Sequence, residues 1–371
     1  MNRDQIKNAK RIVIKIGSSS LTGIAGSELD PAAVDGLVDL VAAARARGAE
    51  VAVVSSGAIA AGLAPLGLKT RPKDLATQQA AASVGQGLLI HRYTESFSRH
   101  DITASQILLT TQDVIRRAHY QNAQRTLYRL LALDVVPIIN ENDTVGTQEI
   151  RFGDNDRLAA LVSLLIGADL LVLVSDIDAL YDAPPTKAGA QRISTVAKVT
   201  DVDDSTLGGA GRAGVGSGGM VTKIEAARIS TSAGIPMLLT SLAGAEKAMS
   251  GEDFGTYFSA QPSKNNSRML WLAHASTPTG RLIVDAGAAT AILERGVSLL
   301  AAGVTGVEGE FSAGDAVEIV KQDGAVIARG LIAFDSSEIP QMLGRSTKEL
   351  AKELGPEYER ELINRDDLVL L

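Results

Sequence analysis

Arg11-Ile12-Val13-Ile14-Lys15-Ile16-Gly17-Ser18-Ser19-Ser20 is the stretch from which the fold is read. Its apolar residues are nearly consecutive, as in a strand buried on both faces, and it breaks into small and hydroxylic residues. Similar runs recur at Glu50–Val54, Ala104–Leu109, Val135–Ile139, Asp169–Val174 and Ile235–Thr240. Helical patterns fill the gaps at Pro31–Arg47, Leu75–Arg99, Tyr120–Leu133, Asn155–Ile166 and Val221–Ala233. Asp30-Pro31 and Gly48 bracket the first of these with N-cap and C′ signals. Such alternation predicts an α/β fold, a mostly parallel sheet sandwiched by helices. Ligands of such sheets bind beyond the carboxyl ends of the strands, so the loops after each strand are the places to search.

The character of the chain changes after residue 258. Residues 259–278 read as a linker, interrupted by the apolar Met269–Ala273. Short β segments follow at Arg281–Asp285, Ala316–Val320 and Ala325–Gly330, with tight turns at Gly314-Asp315 and Asp323-Gly324. The second turn, between β-rich runs, predicts a hairpin. Residues 1–258 are therefore expected to form one domain and residues 279–371 a small β-rich barrel or sandwich.

Of 36 basic and 43 acidic residues, 27 of each fall in residues 1–278, while 9 basic and 16 acidic fall in residues 279–371. The tail thus carries the whole net charge of −7, which argues against its gripping a nucleic-acid backbone. The absence of cysteine excludes disulfides, thiolate metal sites and thiol nucleophiles. With 45% apolar and 21% charged residues the composition is that of a globular chain. No apolar run approaches the roughly 18 residues of a membrane span, and the first residues lack a signal-peptide core, so a cytoplasmic location is expected.

Four loops carry candidate chemistry. Lys15, in an apolar strand end, requires an anionic partner or a route to solvent. Beside it, Gly17-Ser18-Ser19-Ser20 offers N–H groups and hydroxyls to an anion. Val54-Ser55-Ser56-Gly57-Ala58-Ile59-Ala60-Ala61-Gly62 lets a helix begin close to a ligand, although a tight strand–helix junction would read the same. Asn140-Glu141-Asn142-Asp143-Thr144 and Phe152-Gly153-Asp154-Asn155-Asp156 crowd short polar groups that suit an ammonium and a carboxylate, or else Asx turns and caps. Finally, a glycine-rich stretch from Gly208 to Gly219 delivers Lys223 at the start of a helix. It fails both the dinucleotide fingerprint and the Walker pattern in context. A lysine so placed suits phosphoryl transfer, which rests on positioning and charge neutralisation. His91, His100, His119 and His274 read as scattered residues without partners, Asp201–Asp204 as a solvated loop and Trp271 as packing.

In this order the loops resemble the amino-acid kinase family. The matching stretches are Val13–Ser18, Ser55–Gly62, Ile139–Asp143, Phe152–Asp156 and Gly218–Lys223. Val284–Ala288 and Ser298–Gly303 resemble an appended PUA module. The resemblance implies ATP-dependent phosphorylation of the γ-carboxylate of L-glutamate at the start of proline biosynthesis, with Mg2+ arriving on the nucleotide. It implies a catalytic set in which Lys15 and Lys223 grip the phosphoryl group while Asp156 holds both lysines. Ser56, Asp143 and Asn155 would bind glutamate. ATP would be held by Lys15, Ser175, Asp176, Ser217, Gly218, Gly219, Met220, Val221, Thr222 and Lys223. One departure is Ile177-Asp178-Ala179 before Leu180-Tyr181, where relatives often carry a glycine; it bears on the conformation of the nucleotide loop. The family further suggests a homo-oligomer, a dimer or tetramer, and feedback inhibition by proline, neither of which the residues show. Two competing readings stay open: a kinase of the same fold with another acceptor (acetylglutamate, aspartate, carbamate or UMP), and an RNA-binding protein acting through the tail.

Overall fold

The computed structural model describes residues 1–22, 28–110, 113–114, 117–145, 155–184, 187, 189–202, 219–261 and 278–371. The chain divides into two compact units, Met1–Lys264 and Asn265–Leu371.

The larger unit is built on an eight-stranded sheet. Its strands are β1 (Arg11–Ile16), β2 (Glu50–Ser55), β3 (Ala104–Leu109), β4 (Val136–Glu141), β5 (Leu170–Val174), β8 (Thr195–Val196), β9 (Met237–Thr240) and β10 (Thr256–Phe258), in the order β3-β4-β2-β1-β5-β9-β10-β8. All neighbours are parallel except β9 and β10. Two short strands, β6 (Leu180–Tyr181) and β7 (Arg192–Ile193), pair separately. The first-quoted stretch is a central strand, with Lys15 in register between Val54 of β2 and Leu173 of β5.

Strand alternation then assigns faces. A one-turn helix, α1 (Ser18–Leu21), follows β1, and Ile12, Ile14 and Ile16 join a core built with α2 (Pro31–Ala46), α4 (Leu75–Ser98) and α8 (Leu242–Met249). Val13 and Lys15 face the other side, where α6 (Asn155–Ile166) packs on β1, β2 and β5. Against α6 lie α5 (Arg117–Ala132) and α7 (Met220–Ser232). Helix α2 begins at Pro31 because the Asp30 side chain accepts from the N–H of Ala32, as its sequence signal predicts. Among the described residues, no helix is long and apolar enough to cross a membrane.

Between β2 and α4 runs the short helix α3 (Ala58–Leu63), which starts at Gly57 in the left-handed region at φ +105°. Helices α3 and α4 cross through paired glycines. A Cβ on Gly62 would lie 1.9 Å from the Ala81 carbonyl oxygen, and one on Gly85 1.8 Å from that of Ala58. The Ser55–Gly62 stretch is thus a close-packed junction as well as a strand-end loop.

The smaller unit holds a five-stranded sheet in the order β12 (Val304–Gly309), β11 (Gly280–Val284), β13 (Ala316–Lys321), β14 (Val326–Leu331), β15 (Leu368–Leu370). The expected hairpin joins β13 to β14, with Gly324 at φ +87° and Asp323 Oδ1 accepting from the N–H of Ala325. Two helices, α9 (Ala286–Arg295) and α10 (Thr347–Leu354), were not expected in a β-rich tail. Their signals stand in the text: Asp285 caps α9, Gly296 ends it at φ +57°, and Ser346 with Glu349 forms a capping box on α10. Short flanking strands outweighed them. Trp271, Met269–Ala273 and most of the expected linker lie outside the described residues.

The crossing makes a sharp contrast between two glycines of α4. Gly85→Ala is expected to cost about 1–3 kcal/mol or more through overpacking. Gly87→Ala, where a Cβ meets nothing within 4 Å, is expected to gain about 0.5–1 kcal/mol from helix propensity. Urea unfolding of both variants checks this; equal stabilities would contradict the close crossing.

Candidate active site

Three elements converge on one carboxylate. Asp156 is the second residue of α6 and fully buried. Its Oδ1 lies 2.5 Å from Lys15 Nζ and its Oδ2 3.1 Å from Lys223 Nζ. Both lysines are buried, at 3% and 4% exposure. Thr222 Oγ1 donates to the same Oδ2 at 3.1 Å. Lys15 comes from a central strand, and Lys223 is the fourth residue of α7. The helix N-terminus favours a carboxylate at the Asp156 position. Two ammonium groups around one carboxylate leave a local charge of +1, a place that a phosphoryl group would complete.

Next to this trio lies a cluster of amides. Asn155 Nδ2 donates toward Ser55 O, Ser56 Oγ and Asn140 Oδ1, each 2.9 Å away. Asn140 Oδ1 also accepts from the N–H of Glu141 at 2.9 Å, and Asn140 Nδ2 donates to Gln86 Oε1 at 2.8 Å. Ser55 Oγ lies 2.9 Å from the hydroxyl of the buried Tyr93. Two of the three glutamate-binding candidates, Ser56 and Asn155, are therefore in direct contact. Asp143 stands in the turn after β4 and makes no hydrogen bond to either among the described residues. Burial pushes its carboxyl up to about 6, with the Arg71 charge pulling the other way.

On the opposite flank, Ser175 directly follows β5. Its Oγ donates to Asp176 Oδ1 at 3.0 Å and accepts from the N–H of Ile177 at 3.4 Å, and its N–H donates to Thr240 O at 2.9 Å. Helix α7 is preceded by Gly219, which makes no side-chain cap, a kind of helix start that suits an anion. Met220 and Val221 open this helix, Val221 being exposed. Ser217 and Gly218, like Gly153 and Asp154, lie outside the described residues. At the departure the buried Ala179 does not adopt a positive φ, the described non-glycine residues that do being Asp101 and Asp134, so its backbone is not one reserved for glycine.

Gln86 and Tyr93 escaped the sequence reading. The available signal was their place among Ala82, Gly85 and Leu89 on the inner face of α4, where a polar group needs a partner. The histidine reading needs correction. His100 Nε2 lies 2.7 Å from Asp39, His119 Nδ1 2.7 Å from Asp113 and His91 Nε2 3.6 Å from Glu95. Two of these partners are distant in sequence or across a loop, so linear spacing did not reveal them. His274 lies outside the described residues.

Residues 10–241 match the Amino acid kinase family and residues 280–354 the PUA domain. The chain is 60% identical to the glutamate 5-kinase of Streptomyces avermitilis over 370 residues, covering 100% of this chain and 98% of that protein. It is 58% identical to the glutamate 5-kinase of Salinispora arenicola over 369 residues, covering 100% of both. A solved carbamate kinase from Giardia lamblia bound to AMP-PNP is similar in fold, with a TM-score of 0.51 and 16% identity over 69% of this chain and 100% of that one.

Removing the shared carboxylate tests the trio directly. Asp156→Asn is expected to cost about 3–5 kcal/mol of stability, because two buried ammonium groups lose their common counter-charge. Denaturant unfolding measures it, and an unchanged midpoint would contradict the arrangement.

Proposed function

The chain belongs to the amino acid kinase family, in its glutamate 5-kinase branch, and on that premise we propose how its residues carry out the reaction. The enzyme uses ATP to phosphorylate the γ-carboxylate of L-glutamate, giving γ-glutamyl phosphate and ADP, the first step of proline biosynthesis. The observation that carries the mechanism is the Lys15–Asp156–Lys223 trio.

The γ-carboxylate is already ionised near neutral pH, so the acceptor is a nucleophile without a general base. What remains is to bring two anions together and to hold charge on the transferring group. Lys15 and Lys223 supply that charge from two elements, and Asp156 keeps their ammonium groups from repelling one another. Ser175, Asp176 and the stretch 217–223, with the uncapped start of α7, hold the ATP phosphates and nucleoside. Ser56, Asn155 and Asp143 hold glutamate, Asp143 taking the α-ammonium. Among the described residues no group of three His, Asp or Glu could hold a metal ion. Mg2+ would be carried largely by nucleotide oxygens and would serve to neutralise phosphate charge.

Acceptor specificity tests the reading. Hydroxylamine trapping with ATP and Mg2+ is expected to yield the hydroxamate from glutamate, and none or little from acetylglutamate or aspartate. No product with glutamate would sink the assignment. Lys15→Ala and Lys223→Ala are expected to lower kcat by about 10²–10³-fold, the usual loss for one group stabilising developing charge. Either variant turning over normally would exclude its residue from the transfer.

The Asp143 carboxyl gives a pH signature. Because its folded value is raised to about 6, it is neutral below that pH and charged above it. kcat/KM for glutamate is expected to fall about tenfold per pH unit as the pH drops below about 6. Asp143→Asn should bind glutamate weakly with that limb flattened; an unaltered limb would assign the titration to another group.

A further inference from the structure

The Asn155 amide is surrounded by more acceptors than it has hydrogens. Ser55 O, Ser56 Oγ and Asn140 Oδ1 all lie 2.9 Å from Nδ2, which decides where the NH2 end points. The other end, Oδ1, is buried and meets no donor among the described residues. A buried carbonyl oxygen of this kind needs a donor, and a bound molecule can supply one. With glutamate in this site, as proposed above, its α-ammonium has three N–H groups and can serve Asn155 as well as Asp143. Were the amide turned over, its NH2 would face the ammonium and its oxygen would face Ser55 O and Asn140 Oδ1, which can only accept.

The orientation is set one step further out. Asn140 Oδ1 is held by the backbone N–H of Glu141, which can only donate, so Asn140 Nδ2 must point the other way. There it meets Gln86 Oε1 at 2.8 Å. Gln86 follows Gly85, whose contact with α3 brings this turn of α4 close to the ends of the strands. The same helix places the Tyr93 hydroxyl on Ser55, the residue whose carbonyl receives the Asn155 amide.

We infer that Gln86 is a positioning residue for glutamate: by accepting from Asn140 it locks the Asn140–Asn155 pair so that Asn155 presents its carbonyl oxygen to the substrate ammonium. Gln86 does not itself touch glutamate. Its contribution is the acceptor oxygen, not its volume.

Steady-state kinetics of the full chain decide this, with Gln86→Leu, Gln86→Met and Gln86→Glu each measured against varied glutamate and varied ATP. Leu and Met remove the acceptor and are expected to raise KM for glutamate about tenfold, the effect of one lost hydrogen bond. KM for ATP and the thermal midpoint should stay close to those of the parent chain. Glu keeps an acceptor oxygen and should restore KM for glutamate to within about threefold. An unchanged KM in Leu and Met would overturn the inference. So would rescue by Met but not Glu, or an equal rise in KM for ATP, since each marks a packing role. A parent chain inactive on glutamate would instead overturn the substrate reading and this inference with it.

Discussion

One carboxylate holding two ammonium groups is the constraint to which the larger unit is built. Asp156 can meet both Lys15 and Lys223 only if three conditions hold together. A central strand must deliver a lysine to the carboxyl edge of the sheet, α6 must begin at that edge, and α7 must lie against α6. Strand alternation decides the first: Lys15 shares the face of Val13, opposite the Ile12, Ile14 and Ile16 core. Burial of nearly the whole of α6 decides the second, since its apolar surface leaves one way to seat the helix. Buried ion pairs rarely add net stability over apolar packing. On the proposed mechanism the trio is a pre-formed, partly neutralised anion site rather than a staple of the fold.

A second constraint is steric and sits beside the first. The glycines of α3 and α4 allow backbone-to-backbone approach that any Cβ would prevent. Because α3 springs directly from the end of β2, that approach also sets where Ser55 and Ser56 stand relative to α4. The lysine trio draws on β1, α6 and α7, whereas the amide cluster draws on β2, β4, α4 and the first residue of α6. Asn155 and Asp156 are adjacent residues, one in each group, so the start of α6 joins the two.

Much of this was legible in the residues themselves. Runs apolar on both faces predicted six strands whose cores coincide with β1, β2, β3, β4, β5 and β9, because periodicity and burial are local properties. Lys15 was legible because a lysine in such a run is anomalous, and Asn155 because amides cluster after a strand. Gln86 and Tyr93 were not, since a polar residue on a helix declares its role only when the partner, 54 and 38 residues away, is placed. The His–Asp pairs failed for the same reason. The short strands β6, β7, β8 and β10 were missed because two or three residues carry no period. In the tail, capped helices were hidden by the β-rich text around them.

Charge bookkeeping gains a physical meaning from the site. Residues 1–278, with 27 basic and 27 acidic side chains, present no overall attraction to ATP or glutamate, both anions. On the proposed mechanism, recognition rests on local fields rather than on a long-range one: two lysines with one carboxylate, a helix start without a side-chain cap and oriented amides. Local, buried fields of this kind are little screened by salt, whereas steering by a basic surface would weaken steeply as ionic strength rises. A surplus of positive surface charge would raise the concentration of every anion near the site, products and competitors included. Balance outside and charge concentrated within let geometry, and not net charge, select which two anions meet.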